Sequence, residues 1–267
     1  MELITSRRNP LVGRLRALHQ AKGRREQGLL LLEGTHLLQE VVRLGLSPER
    51  VLATPAWMER HPELLASLGA PLQPVGDELL AAVATTDSPD GVVLTLPSAA
   101  LPAASGRGAW VLALDQLQDP GNLGTLLRTA LAAGVDELWL GGGADPWQPK
   151  VLRASAGAAL ALPIRREAER QGLLHQLEQA RQAGHQVVAT LVDSSRSIPY
   201  WDLDWTCPTV LLLGNEGSGL HPSLAALATH SVTIPHSAAV ESLNVAVAAA
   251  PLLLERWRQQ QRSAPGG

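Results

Sequence analysis

The second half of this sequence alternates short apolar runs with longer amphipathic segments, and this rhythm constrains the fold more than any other feature. Strands that alternate with helices form a mostly parallel sheet covered on both faces, and ligands bind beyond the carboxyl ends of its strands. The predicted strands are Trp110–Leu114, Glu137–Leu140, Gln186–Val192, Thr209–Leu213 and Ser231–Ile234. The predicted helices are residues 123–132, 151–156, 173–183 and 243–260.

A smaller α/β pattern comes first in the chain. Asn9 is expected to cap a helix with an apolar stripe, and Thr35 is expected to cap a second helix that runs to Val42. Predicted strands at residues 29–32, 51–53 and 91–96 accompany a predicted helix at about residues 59–68. Residues 98–108 are rich in Pro, Ala, Ser and Gly, which is typical of a linker. The sequence therefore predicts a small α/β domain at 1–97, a linker at 98–108 and a larger domain at 109–267.

Composition limits the class of protein. The 267 residues are 45% hydrophobic and 18% charged, which is ordinary for a globular protein. The one cysteine, Cys207, excludes an internal disulfide framework and a cysteine-rich zinc site, and we expect no metal. The N-terminus lacks the apolar stretch of a signal peptide, and the apolar run at Val245–Leu254 is too short to cross a bilayer. We therefore expect a cytoplasmic protein without membrane association.

Positive charge is concentrated near the N-terminus, although the whole chain has a net charge of −3. Residues 1–30 hold seven basic side chains against two acidic ones, which is an excess of five positive charges. Such a patch suits the phosphates of a nucleic acid. A solvated amphipathic helix is an equally good interpretation of the charges alone. The candidate phosphate contacts are Arg7, Arg8, Arg14, Arg16, Arg24 and Arg25.

The first segment with unusual residues follows the strand that ends at Leu114. Residues 119–122, Asp-Pro-Gly-Asn, are a strong turn signal, and Asn122 is expected to cap the helix after it. Arg128 lies on the second turn of that predicted helix among apolar neighbours, within reach of a cleft beyond the strand end. A surface salt bridge is the alternative role for Arg128, and a functional role is slightly favoured.

Glycines follow the strand Thr209–Leu213 at Gly214, Gly217 and Gly219. They allow backbone N–H groups to approach a ligand closely, although a structural tight turn is the alternative. The spacing is not that of a dinucleotide-binding G-x-G-x-x-G turn, and no lysine follows as in a Walker loop. Glu216 within the turn repels phosphate, so a ligand with a positive or neutral polar end fits better.

A third segment follows Ile234 and Pro235, where a polar loop leads into a helix of small residues. Ser242 is expected to cap that helix. The alanine run in the helix allows close approach of another helix or of a second copy of the chain. A well-capped helix with no further role is the alternative.

Together and in this order, the three segments resemble the three signature motifs of the SpoU (TrmH-like) branch of the SPOUT RNA methyltransferases. The matching stretches are residues 122–128, residues 214–220, and Ile234-Pro235 followed by residues 242–245. Residues 150–157 also resemble the family's connecting segment. The resemblance covers about residues 109–257, and the stretch from Asn9 to Gly34 resembles the family's small RNA-binding domain.

This resemblance implies a trefoil-knotted α/β methyltransferase domain with a parallel sheet, preceded by a small α/β RNA-binding domain. It implies a homodimer that uses S-adenosylmethionine. By position it implies a catalytic role for Arg128, in a site organised by Asn122, Glu216, Ser242 and Asn244. Arginine holds its proton too tightly to be a free general base, so Arg128 is expected to position the reacting hydroxyl and stabilise developing negative charge. The implied cofactor contacts are Gly214, Gly217, Ile234, Leu243, Asn244, Thr190 and Leu191.

The reaction that the resemblance implies is methyl transfer to a ribose 2′-hydroxyl of structured RNA. Ribosomal 23S RNA is the favoured substrate and transfer RNA is the alternative. A catalytically silent RNA-binding protein of the same fold is disfavoured, because it would be expected to lack Arg128 or Asn244. A nucleotide-dependent oxidoreductase is also disfavoured, because the G-x-G-x-x-G turn and its later acidic residue are missing.

Overall fold

The computed structural model describes residues 2–190 and 197–263. Within these ranges the chain divides into two compact units, and each is described by itself. The first unit consists of the residues up to Pro102 together with Asp145–Ala161, and the second consists of Ala103–Ala144 and the residues from Leu162 onward. Residues 145–161, which the predicted division assigns to the larger domain, therefore belong with the first unit.

The helices and strands follow in chain order. Up to residue 102 they are α1 (Pro10–Ala17), α2 (Ala21–Gln27), β1 (Leu29–Glu33), α3 (Thr35–Arg43), β2 (Arg50–Ala53), α4 (Pro55–Arg60), α5 (Pro62–Ala66), β3 (Leu72–Pro74), α6 (Asp77–Val83) and β4 (Val92–Pro97). From residue 103 onward they are β5 (Trp110–Asp115), α7 (Pro120–Ala132), β6 (Glu137–Gly141), α8 (Pro149–Ala154), α9 (Ala158–Ala161), β7 (Ile164–Glu167), α10 (Arg170–Gln182), β8 (Gln186–Thr190), β9 (Ile198–Pro199), β10 (Thr209–Leu213), α11 (Pro222–Ala225), β11 (His230–Thr233) and α12 (Val245–Ser263). Short 3₁₀ turns lie at Ser98–Ala100 and Tyr200–Asp202.

The first unit is built on a four-stranded sheet in the order β1-β4-β2-β3. Of its two inner strands, β4 pairs antiparallel with both β1 and β2, whereas β2 also pairs parallel with β3. Apolar side chains of the strands pack against α1 and α6 to form its core, including Leu15, Leu31, Leu52, Leu79 and Val93. The small α/β fold predicted for this part of the sequence is therefore present.

Local signals in the first unit are partly confirmed. Asn9 caps α1 as predicted, because its Oδ1 accepts the N–H of Leu11 at 2.9 Å. The cap predicted at Thr35 is wrong, since Gly34 precedes the helix and the N–H of Thr35 is bound by the carboxylate of Asp90. The single helix predicted at residues 59–68 is also wrong. A proline follows His61, and proline cannot continue a helix in its interior, so two short helices form instead.

An ion pair with a buried carboxylate attaches residues 145–161 to the rest of the first unit. The guanidinium of Arg153 lies 3.4 Å from the carboxylate of Glu33, which is 9% exposed. Burial raises the pKa of Glu33, but hydrogen bonds from Thr86 and Thr85 and the charge of Arg153 outweigh it, so this pKa lies below its ordinary value. An ionised, fully bonded Glu33 therefore stabilises this packing.

The second unit is built on a seven-stranded sheet in the order β7-β6-β5-β10-β8-β11-β9, in which every neighbouring pair is parallel. The predicted parallel sheet is confirmed. The central strands β5 and β10 are buried along their whole length, α10 packs on β5, β6 and β8, and α7 packs against α12. The edge strands β7 and β9 escaped prediction because both are short and neither has an apolar run. The trefoil knot stays a prediction.

No helix within the described ranges is long and apolar enough to cross a membrane. The longest of them, α12, continues through Pro251 and carries charged residues in its second half.

Candidate active site

Four adjacent strands of the second unit end at the same edge of its sheet. β5, β10, β8 and β11 lie side by side and run parallel, so their carboxyl ends meet there. The loops that leave this edge carry the three segments predicted to be functional: residues 116–122 after β5, 214–220 after β10 and 234–244 after β11. The topology therefore gathers segments that are distant in sequence at the edge where parallel sheets bind ligands.

The glycine-rich segment folds into a tight turn that is closed by its own amide groups. The backbones of Asn215 and Gly219 exchange two hydrogen bonds, of 2.9 and 3.0 Å. Asn215 Oδ1 also accepts the N–H groups of Gly217 and Ser218. Gly219 has a φ of +67°, a conformation that favours glycine. The turn is thus fixed from within.

Packing within the turn requires a glycine at Gly214 but not at Gly217. A Cβ on Gly214 would lie 2.3 Å from the carbonyl carbon of Gly219 and from the nitrogen of Leu220, which are backbone atoms that cannot move aside. A Cβ on Gly217 would meet nothing closer than 3.7 Å. Only Gly214 is therefore required by packing within the turn.

Glu216 joins the glycine turn to the segment after β5. Its carboxylate accepts the backbone N–H groups of Gln118 at 3.1 Å and Asp119 at 3.0 Å, and the Nδ2 of Asn122 at 3.3 Å. Burial raises the pKa of Glu216, but these backbone hydrogen bonds and the amide of Asn122 outweigh it, so the pKa lies below its ordinary value. The site therefore holds a fixed negative charge, which disfavours phosphate and favours a cation.

Two asparagine side chains extend this network to the third segment. Asn244 Nδ2 donates to Asn122 Oδ1 at 3.0 Å, while Asn122 Nδ2 donates to Glu216. Both predicted caps, Asn122 and Ser242, are wrong, and the observed caps explain why the side chain of Asn122 can join this network. α7 begins three residues earlier than expected and is capped by Asp119. Asn244, not Ser242, accepts the first N–H groups of α12. Asn122 is thereby free to bond across the site.

The three segments enclose a cleft of about 450 Å³. This volume lies within the range of roughly 300–1,000 Å³ that is usual for small-molecule sites. Apolar walls come from Leu213, Leu220, Val232 and Val245. The predicted site residues that line the cleft are Asn122, Thr190, Gly214, Glu216, Gly217, Ile234, Ser242, Leu243 and Asn244. Leu191 lies outside the described residues, and Arg128 does not line the cleft.

Comparison with known proteins decides the family. The family model described as the SpoU rRNA Methylase family matches residues 109–254. A second model, described as the MRM3-like substrate binding domain, matches residues 9–94. The chain belongs to the SpoU methylase family.

Relatives of this SpoU chain match it along nearly its whole length. It is 45% identical to an uncharacterized tRNA/rRNA methyltransferase from Synechocystis, over 98% of this chain and 96% of that protein. It is 32% identical to the 23S rRNA (guanosine(2553)-2′-O)-methyltransferase RlmP of Bacillus subtilis, over 95% and 98% of the two chains. The crystal structure of an AdoMet-bound rRNA methyltransferase from Sinorhizobium meliloti matches with a TM-score of 0.81 and 32% identity, over 97% and 98%.

These findings confirm the predicted family, fold class, enzyme class and cofactor: the SpoU chain is an S-adenosylmethionine-dependent RNA methyltransferase. The described cleft fits that cofactor. Its apolar walls suit an adenine ring, and the carboxylate of Glu216 suits a cationic sulfonium. When bound, S-adenosylmethionine supplies an activated methyl group.

Arg128 is exposed on α7 and does not line the cleft. Six residues separate it from Asn122, which is about 9 Å along a helix and places the two side chains on different faces. Within residues 2–190 and 197–263, no hydrogen bond or ion pair engages its guanidinium. The surface salt bridge considered for Arg128 is therefore absent there, and its charge is available to a phosphate or to a second chain.

The N-terminal arginines do not form one class. Arg24 was predicted to contact phosphate, and this is wrong: its side chain is 6% exposed, lies 2.5 Å from the carboxylate of Asp145, and donates to the carbonyls of Leu18 and His19. Arg7 is exposed but lies 3.4 Å from Glu78. The remaining candidates are exposed: Arg8, Arg14, Arg16 and Arg25.

Sequence reasoning missed an ion pair with a buried carboxylate at the end of β5. Asp115, at the end of β5, is 1% exposed, and its carboxylate lies 2.8 Å from the Nε of Arg170. The same carboxylate accepts the N–H of His221, just after the glycine turn, at 3.2 Å. Asp115 thus ties the turn to β5. The signal was present in the sequence as a carboxylate at the end of an apolar strand.

Proposed function

We propose that this SpoU enzyme methylates a ribose 2′-hydroxyl of structured RNA, and that its substrate is 23S ribosomal RNA. One observation carries the proposal: the chain of hydrogen bonds from Asn244 through Asn122 to Glu216 joins all three signature segments at the cofactor cleft. The similarity to a 23S rRNA 2′-O-methyltransferase over nearly the full length of both chains supports the choice of atom and of RNA.

The cleft residues would orient the ribose rather than exchange protons with it. Asn122 and Asn244 present amide groups beside the cofactor cleft, where they can bond a ribose hydroxyl. Glu216 is held as an anion by three donors, so it serves as a fixed charge. Arg128 would hold the phosphate next to the target nucleotide and stabilise the oxygen while its proton passes to that phosphate or to water. Exposed arginines at 8, 14, 16 and 25 would bind phosphates elsewhere on the RNA.

We also propose a homodimer in which an exposed apolar face of the packed α7–α12 pair is covered. Leu131 on α7 and Val247, Leu254 and Trp257 on α12 are between 37% and 62% exposed. Val247 and Leu254 are seven residues apart and so share one helix face. Leu131 follows Arg128 by three residues and shares its face. A second copy seated on this surface would therefore also meet Arg128, so we propose that Arg128 of one copy serves the cleft of the other.

Mixing two inactive variants tests this arrangement. Arg128→Ala and Asn244→Ala homodimers should each be inactive. After subunit exchange, half of the dimers are mixed and each carries one intact site, so roughly a quarter of wild-type activity should return. If Arg128 acts within its own chain, both sites of a mixed dimer are broken and no activity returns. If sedimentation shows a single species with the mass of one chain, the proposal of a homodimer is wrong.

The substrate is tested by transfer of labelled methyl from S-adenosylmethionine to total RNA that lacks the modification. Ribosomal and transfer RNA are separated afterwards, and the 2′-O-methyl positions are mapped by nuclease resistance. Label at one discrete ribose of 23S RNA is the expected result, with Asn244→Ala as the inactive control. Label in transfer RNA instead would show that transfer RNA is the substrate. Cofactor binding without transfer to any RNA would indicate the silent binding protein. A cytoplasmic location stays a prediction.

A further inference from the structure

The negative charge of Glu216 has no neutralising partner, unlike that of Asp115 at the same edge of the sheet. The carboxylate of Asp115 lies 2.8 Å from the Nε of Arg170, so a positive charge offsets it. The carboxylate of Glu216 accepts two backbone N–H groups and the side-chain amide of Asn122, all of which are neutral. Within the described part of the chain, no lysine, arginine or histidine forms an ion pair with it. Glu216 is exposed and lines the cleft, so a bound ligand is influenced by its charge.

The other residues of the cleft do not offset this charge. None of the described residues that line the cleft is a lysine or an arginine. His236 is the one other ionisable side chain among them, and its Nδ1 donates to the carbonyl of Ile234 at 2.7 Å. Asp119, whose N–H donates to Glu216, adds a second carboxylate, which caps the positive end of the α7 dipole. The segment around Glu216 is therefore anionic.

Methyl transfer changes the charge of the cofactor and leaves the rest of the molecule unchanged. S-adenosylmethionine carries a sulfonium with one positive charge. The bond between sulfur and the methyl carbon breaks with its electron pair on sulfur, and the carbon bonds to the acceptor oxygen, which loses its proton. The product, S-adenosylhomocysteine, therefore has a neutral thioether in place of the sulfonium. A fixed negative charge nearby stabilises the first molecule and not the second.

The hydrogen-bond network also indicates that the sulfonium belongs near Glu216. Direct transfer requires sulfur, methyl carbon and acceptor oxygen to lie close together and in line, so the sulfonium lies beside the acceptor hydroxyl. Asn122 and Asn244 are the groups proposed to bond the ribose. Asn244 donates to Asn122 at 3.0 Å, and Asn122 donates to Glu216 at 3.3 Å. This step rests on the proposed function.

We propose that Glu216 makes the cleft select S-adenosylmethionine over S-adenosylhomocysteine by charge, and so limits inhibition of the enzyme by its own product. The apolar walls of the cleft suit the adenine ring, which both molecules share, and so favour neither. The charge of Glu216 attracts only the molecule that still carries its methyl group. After transfer this attraction is gone, and the product leaves more readily.

The test is calorimetric titration of the full-length protein with three ligands at about pH 8, where histidine side chains are generally uncharged. They are S-adenosylmethionine, S-adenosylhomocysteine and sinefungin, in which a carbon that bears an amine replaces the sulfonium. Glu216→Gln keeps the size of the side chain and an acceptor oxygen but removes the charge. We expect the two cationic ligands to bind about fivefold more weakly, the scale of an exposed ion pair. The affinity for S-adenosylhomocysteine should change by less than about twofold, because no charge faces the carboxylate.

Two control variants separate charge from shape. Glu241→Gln removes an exposed carboxylate from the loop before α12 that does not line the cleft, and it should change none of the three affinities. Asn122→Ala removes a donor to Glu216 but keeps the charge, so it should change all three affinities by the same factor. Thermal melting verifies that each variant is folded.

A loss in Glu216→Gln that is confined to the two cationic ligands supports the inference. Equal weakening of all three ligands overturns it and shows that Glu216 only shapes the turn. Unchanged affinities in Glu216→Gln overturn it as well, and an equal effect of Glu241→Gln overturns the assignment to Glu216. The inference can fail while labelled methyl still reaches 23S RNA. A selective cleft with no label in any RNA would instead be a failure of the proposed function.

Discussion

The polar side chains of the cofactor cleft are bonded to one another, whereas most arginines of the N-terminal stretch point into solvent. Glu216, Asn122 and Asn244 each accept or donate within one network, while Arg14 and Arg16 are exposed on α1. In the network the loss of one atom leaves another unpaired, which is costly in a buried or half-buried setting. Among solvated charges the loss of one removes a modest, salt-dependent attraction. The effects of two matched substitutions on activity or binding should therefore differ sharply in the cleft and little on α1.

The largest effect is expected at Gly214. Gly214→Ala places a methyl group 2.3 Å from backbone atoms of the same turn, so the turn must open and its backbone groups leave their places. We expect cofactor affinity or kcat/KM to fall by about 100-fold or more, as misplacement of a binding group by an ångström can do. Cofactor titration by calorimetry and single-turnover methylation measure the two quantities.

Gly217→Ala is the matched control for this change. Its new methyl group would meet nothing closer than 3.7 Å, and the φ of Gly217 is not in the left-handed region. We expect less than a threefold change in cofactor affinity, about 0.6 kcal/mol or less. If both substitutions lower the cofactor affinity equally, a reason other than packing excludes side chains from the turn.

A second prediction concerns the charge inside the network. Asn122→Asp replaces the amide that donates to Glu216, at 3.3 Å, by a carboxylate that repels it. Asn122→Ala only removes the bond. We expect the aspartate variant to be about tenfold less active than the alanine variant in kcat/KM, because like charges at this distance disfavour one another. A more active aspartate variant would mean that Glu216 carries a proton, in conflict with the direction of its pKa shift.

The difference between the two regions also shows what could be read from the sequence. Apolar runs predicted the central strands well, since β10 begins and ends at the predicted residues and β5 extends one residue further. Helix caps were predicted less well. At α7 and α12 two polar residues compete for each cap, and the choice depends on contacts with other segments, as when Asn122 bonds to Glu216 instead.

Site residues were predictable where motif position fixes them and not where charge alone was used. Most of the predicted cleft residues line one cleft, because the strand order brings their three loops to one edge. For the arginines, no pattern in the sequence indicates a partner. Asp145 is 121 residues from Arg24, so a pattern within residues 1–30 could not reveal that this arginine is buried.

A third prediction uses the neighbouring arginines of α2. Arg24→Ala leaves Asp145 and two carbonyls without their donor, and we expect the free energy of unfolding to fall by about 3–5 kcal/mol, as for other broken buried pairs. Arg25→Ala removes an exposed charge and should change stability by less than about 0.5 kcal/mol. Urea unfolding compares the two. If Arg25→Ala weakens RNA binding in a salt-dependent way without loss of stability, the exposed arginines contact phosphate. Unchanged RNA affinity favours the solvated-helix interpretation.

The smallest effect is expected from pH. The pKa of Glu216 lies below its ordinary value of 4.5, because backbone and amide hydrogen bonds outweigh the effect of burial. A carboxylate with a lowered pKa stabilises the folded site fully above its unfolded pKa, and this stabilisation is lost only as the pH falls through the lower folded pKa. Between about pH 5.5 and 8.5, Glu216 therefore stays ionised, and it should contribute no slope to cofactor affinity. Glu216→Gln should lower the affinity at every pH in this window by the same factor. The contrary outcome is a fall in wild-type cofactor affinity near pH 6 that is absent in Glu216→Gln. It would show that the carboxylate of Glu216 takes up a proton in the working pH range and is not a fixed charge.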